Sequence, residues 1–174
     1  MKGGSDSELN AGNVVQREKA NSQAKQTTAL QPRQYLPGVF ELGKAGVGKT
    51  HLATALCHQA VLQGHQTVFT TLFDFTSKLA KAKSSFNLIE YYAKVPLLCL
   101  DELGYVVPTK EQADAIFQII SKRTEVRTTI VTTNLIPSQW GKIFDSVTAS
   151  AILDRLSMNG RFITCEGRSY RSKK

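Results

Sequence analysis

Apolar and polar positions change character at about residue 35. Before it the chain is rich in Gln, Asn, Ser, Thr, Ala and Lys, and its few large apolar residues (Leu9, Val14, Val15, Leu30) fall into no period. Residues 1–34 therefore read as a low-complexity segment, disordered or loosely helical, punctuated at its end by Pro32 and Pro37. From 35 to 174 the pattern is that of one folded domain. Short apolar runs at 39–42, 66–72, 95–102, 128–134 and 161–167 predict strands. The run Val95–Glu102 is continuously apolar up to its two acids, as a strand buried on both faces should be. Between the runs, apolar residues recur at helical spacing. Leu52, Ala53, Leu56, Cys57, Ala60 and Val61 mark a helix over 50–63 that Gly64 ends. Phe75, Leu79 and Ala82 mark a second, and Ala113, Ile116, Phe117 and Ile120 a third. Ala149, Ile152, Leu153 and Leu156 mark a fourth. Strands alternating with helices predict an α/β fold with a parallel sheet covered on both faces. In such a sheet, ligands gather at the carboxyl ends of the strands.

The first strand and first helix are joined by Gly43-Lys44-Ala45-Gly46-Val47-Gly48-Lys49-Thr50, followed by His51. This fits G-x-x-x-x-G-K-[ST] in the required strand, loop, helix order. Glycines let the backbone turn its N–H groups onto phosphate oxygens. Lys49 would reach the β- and γ-phosphates, Thr50 would offer its hydroxyl to Mg²⁺, and the following helix adds its positive end. Asp101 and Glu102 end a buried strand, where Asp101 could hold Mg²⁺ and Glu102 could deprotonate an attacking water. Asn134 ends the next strand, in reach of a γ-phosphate or that water. No N-K-x-D segment accompanies the loop, which argues against a guanine-specific GTPase.

Composition narrows this only a little. At 174 residues with 41% hydrophobic content the chain suits one core. No apolar run reaches membrane-spanning length and the N-terminus has no apolar signal region, so a cytoplasmic protein without membrane contact is expected. Cys57, Cys99 and Cys165 are far apart, in apolar segments, and read as buried free thiols. The net charge of +8 is concentrated at the end, where Arg155, Arg161, Arg168, Arg171, Lys173 and Lys174 face Glu166 alone. That cluster suits nucleic acid or a solvated chain end equally. Trp140 and the Tyr91–Tyr92 pair read as packing residues.

The stretches "GKAGVGKTHLATAL", "LLCLDELGYVVPT", "IVTTNLIPSQWGKIF", "AILDRL" and "EGRSYR" occur in this order. Together they resemble the IstB-type ATPases, transposition helper proteins of the AAA+ superfamily related to the helicase loader DnaC. The resemblance covers roughly residues 38–172. It implies a P-loop three-layer α/β core with a five-stranded parallel sheet and a small or absent C-terminal lid. It implies an Mg²⁺-dependent ATPase that assembles as a homo-oligomer on duplex DNA and assists a transposase. Under it, residues 43–51 form the Walker A loop, Asp101 and Glu102 Walker B, and Asn134 sensor 1. Arg155 resembles an arginine finger acting in a neighbour's site, a role suited to its permanent charge. Arg171 resembles a sensor 2 arginine. Two departures stand out. Lys44 and Ala45 replace prolines usual in the family, and the segment before the first strand is shorter than the family's helical N-terminal region. Two other readings stand beside the transposition helper: a helicase-loader-like ATPase on single-stranded DNA, and a truncated nucleotide- or DNA-binding remnant without turnover.

Overall fold

The computed structural model describes residues 38–158 and 160–170. The predicted segment 1–34 and Arg171 lie outside them. Five strands, β1 (Val39–Leu42), β2 (Thr67–Thr71), β3 (Leu97–Leu103), β4 (Thr128–Thr133) and β5 (Arg161–Thr164), form one sheet in the order β2-β3-β4-β1-β5. Every pairing is parallel. The helices are α1 (Lys49–Leu62), α2 (Leu72–Lys81), α3 (Ser85–Lys94), α4 (Lys110–Arg123) and α5 (Ser146–Met158), with a 3₁₀ turn at Pro137–Lys142. Among the described residues no helix is long and apolar enough to cross a membrane.

Strand alternation sorts the core into two layers. Leu98 and Leu100 of β3, Phe40 of β1 and Val131 of β4 join Phe75, Tyr92, Ile116, Ile119 and Ile152 from α2 to α5 in the larger cluster. Leu97, Cys99 and Ile130 turn to the other face, where they meet Ala53, Cys57 and Ala60 of α1. Small residues let α1 lie close against the sheet. That packing corrects the expected face of α1: Leu52, Leu56 and Val61 point outward, and Val61 is 55% exposed.

The sequence predicts one helix between β2 and β3, and the structure contains two. Ser84 starts the second by accepting from the Asn87 N–H at 3.2 Å, and Ile89, Tyr92 and Ala93 form its buried stripe. Of the tyrosine pair, Tyr92 is core and Tyr91 is exposed. β5 stops at Thr164, short of the expected 167. Trp140, Cys57 and Cys99 are buried, whereas Cys165 is only half-buried.

Buried among α3, α4, β3 and β4 is Arg123, with no exposed surface. Its Nε donates to Thr129 Oγ1 at 2.9 Å, and its Nη1 donates to the Tyr92 and Val95 carbonyls at 2.8 and 2.7 Å. Its Nη2 donates to the Thr128 carbonyl. Burial, then the nearby Arg127, pushes its pKa down to about 9, so the guanidinium stays charged at neutral pH. The last carbonyls of α3, which no later turn can satisfy, are thus held by a side chain from α4.

Candidate functional site

The carboxyl ends of β1, β3 and β4 open into a cleft of about 530 Å³, lined by Ala45, Gly46, Gly48, Lys49, Thr50, His51, Glu102, Tyr105, Thr132, Thr133, Asn134 and Tyr170. Its floor is the loop after β1. Gly43 (φ 153°) and Gly46 (φ 81°) have left-handed backbones, and both are crowded. A Cβ on Gly43 would lie 2.2 Å from the Cys165 carbonyl oxygen, and one on Gly46 would lie 2.1 Å from Ser169 Oγ. Only glycine fits there. Gly48 begins α1 with no side-chain cap, and no acid occupies the first turn. The N-terminal amides and positive end of a 14-residue helix thus lie at the cleft.

Lys49 Nζ donates to the Gly43 and Lys44 carbonyls at 2.7 and 2.9 Å. Lys44 and Ala45 are exposed at the loop's tip, with Ala45 lining the cleft. Thr50 donates its hydroxyl to Asp101 Oδ1 at 3.2 Å, joining loop and β3. Asp101 is 2% exposed and also accepts from the Thr132 hydroxyl of β4. Thr132 Oγ1 in turn accepts from the Glu102 N–H at 3.0 Å. Between Leu100 and Leu103 the β3–β4 register shifts, and Glu102 adopts φ 60°. A non-glycine residue held there costs about 1–2 kcal/mol. This irregularity leaves Asp101 buried and Glu102 exposed in the cleft. Asn134, exposed, follows β4 on the same rim.

A loop of glycines, a lysine, and a hydroxyl beside a buried carboxylate are the donor set that a magnesium nucleotide requires. Of the residues predicted from sequence, Ala45, Gly46, Gly48, Lys49, Thr50, His51, Glu102 and Asn134 line this cleft, and Gly43, Lys44, Val47 and Asp101 belong to the same loop and strand without lining it. Arg171 lies outside the described residues. Arg155 lies elsewhere: with Gly38 and Thr129 it lines a small cavity at the amino ends of β1 and β4. There its Nη1 donates to the Ala151 carbonyl at 3.0 Å and its guanidinium lies 4.7 Å from the centre of the Phe117 ring. A strand's length separates it from its own cleft.

Sequence reasoning missed Thr132, Tyr105 and Tyr170, all cleft residues. Thr132 carried no signal beyond its place two residues before Asn134. It also missed Glu41, an acid inside an apolar strand. Glu41 has no exposed surface, and among the described residues neither carboxylate oxygen has a hydrogen-bond partner. Burial, then the charge of Asp101, raises its pKa from 4.5 to about 7 against the opposing pull of Lys49. The native state therefore binds more protons than the unfolded chain between pH 4.5 and 7, so stability falls as pH rises through that window and is flat above it. Glu41→Leu is expected to stabilise the fold by about 2–3 kcal/mol at pH 8 and by much less at pH 5. Urea unfolding at the two pH values measures this; an equal effect at both would mean Glu41 is not buried as a titrating acid.

The family described as IstB-like ATP binding protein matches residues 16–174. The chain is 40% identical over 136 residues to the insertion sequence IS232 putative ATP-binding protein of Bacillus thuringiensis subsp. berliner, covering 76% of this chain and 54% of that protein. It is 40% identical over 139 residues to the insertion sequence IS21 putative ATP-binding protein of Pseudomonas aeruginosa, covering 78% and 52%. The chain thus spans about half the length of these relatives. The crystal structure of the DnaC helicase loader superposes with a TM-score of 0.63 at 21% identity, over 86% of this chain and 89% of that one. That likeness is one of fold.

Proposed function

The chain belongs to the IstB-like ATP-binding protein family, and from this premise we propose that it is an Mg²⁺-dependent ATPase that assembles on duplex DNA and assists a transposase. The observation that carries the ATPase reading is the Thr50 hydroxyl 3.2 Å from the Asp101 carboxylate, beside a lysine held over the phosphate loop. Thr50 and Asp101 would hold Mg²⁺, which when bound would offset charge developing on the phosphate oxygens. The loop amides of residues 43–51 grip the triphosphate, and Lys49 exchanges its two carbonyls for phosphate oxygens. Glu102 takes the proton of the attacking water, and Asn134 orients that water. Arg155 works in a neighbouring subunit's cleft, since it sits at the far end of its own sheet. Hydrolysis then depends on assembly. DNA contacts run mainly to phosphates and weaken steeply with salt. Arg171 is proposed to act at the nucleotide as a sensor 2 residue, and the protein to work in the cytoplasm.

The test is ATP hydrolysis by the full chain with and without duplex DNA. Turnover is expected to rise on duplex and to vanish in Lys49→Ala. Arg155→Ala should bind ATP without hydrolysing it, and mixing it with Lys49→Ala should restore activity, because each supplies what the other lacks. A mixture that stays inactive rules out action in trans. Stimulation by single strands alone would favour a helicase loader. ATP binding without turnover would favour a remnant.

A further inference from the structure

The carboxyl ends of the strands present the cleft's groups in a fixed order. The sheet runs β3-β4-β1-β5, so the acids Asp101 and Glu102 come first, then Asn134, then the phosphate loop, then the segment after β5. A nucleotide whose terminal phosphate faces the acids and Asn134 must extend past the loop toward β5.

There the segment 165–170 is strapped to the loop. The Cys165 N–H donates to the Leu42 carbonyl at 2.6 Å, and the Tyr170 N–H donates to the Gly46 carbonyl at 2.9 Å. Ser169 lies so close to Gly46 that no Cβ fits between them. These contacts fix the backbone of Tyr170, yet its residue surface is 72% exposed and lines the cleft. Ala45, Gly46 and His51 of the phosphate loop line the same cleft.

We infer that Tyr170 is the platform on which the nucleotide base stacks, with the strap after β5 serving to hold that ring at the base end of the cleft. The inference rests on the cleft taking a nucleoside triphosphate, as proposed above. Stacking on an aromatic side chain is worth a substantial factor in affinity per base and tolerates any base. Tyr170 therefore contributes to affinity for ATP and ADP, and nothing to affinity for the phosphates alone.

Calorimetric titration of the full chain with ATP, ADP and inorganic tripolyphosphate, each with Mg²⁺, separates these contributions. Tyr170→Ala is expected to weaken ATP and ADP about tenfold and to leave tripolyphosphate unchanged. Tyr170→Phe should retain wild-type affinity for all three. Unchanged ATP affinity in Tyr170→Ala would overturn the proposal. An equal loss for tripolyphosphate would overturn it too, because the residue would then only brace the loop. Wild-type protein that binds tripolyphosphate as tightly as ATP would show the base is not gripped. Wild-type protein that binds neither would overturn the ATPase reading along with it.

Discussion

Arg123→Met is expected to destabilise the fold by about 3–5 kcal/mol, enough to leave much of the chain unfolded at physiological temperature. The methylenes of methionine fill part of the space, so packing is not the main loss. The loss is of donors. The carbonyls of Tyr92 and Val95 and the hydroxyl of Thr129 would be left in a site without solvent. Each unsatisfied group costs about 1–3 kcal/mol. Arg123→Lys is a sharper test. It keeps the charge, but a single ammonium cannot reach four acceptors spread over α3 and β4, so most of the loss should persist. Urea denaturation of both variants measures it. A loss below about 1 kcal/mol in Arg123→Met would mean that water or rearranged backbone satisfies those carbonyls.

Glu102→Gln is expected to bind ATP with near wild-type affinity and to hydrolyse it about 10²–10⁴-fold more slowly. The substitution keeps size and hydrogen-bonding reach and removes only the ability to take a proton. The unusual backbone at φ 60° should survive it, because that backbone is held by the Glu102 N–H donating to Thr132, a bond indifferent to the side chain. Stability should therefore change little, and the loss should appear in turnover rather than in nucleotide affinity. Single-turnover hydrolysis with a parallel binding titration separates the two. Unchanged turnover would remove Glu102 from the role of base.

Much of the architecture was legible in the chain because backbone hydrogen bonding and burial leave periodic marks. All five strands fall where apolar runs predict them. The continuous run in β3 announced a strand buried on both faces, and the structure buries it so. The phosphate loop was legible for a different reason: close backbone approach to phosphate demands glycine at fixed spacing, and Gly43 and Gly46 are indeed crowded. The division of residues 72–94 into two helices was not legible. Helical periodicity gives direction but not continuity, and only Ser84 as a cap marked the break.

What the sequence by itself determined is the order of the elements and the chemical kinds of residue at the strand ends. Both follow from local rules: side-chain period, turn chemistry, the donors a phosphate requires. Which distant groups meet is settled only when the chain folds. Arg123 lies in the last turn of α4, where a basic side chain is ordinarily solvated, yet it is buried because α3, the residue after it and β4 bring carbonyls to it. Glu41 is buried because β1 lies between β4 and β5, and its carboxylate has no hydrogen-bond partner among the described residues. Arg155 falls at the wrong end of the sheet for its own cleft, and Tyr170 at the right one. Sheet order decides the neighbours of Glu41 and the place of Tyr170 beside the phosphate loop, and it arises from pairings between strands far apart in the chain, which no local pattern encodes.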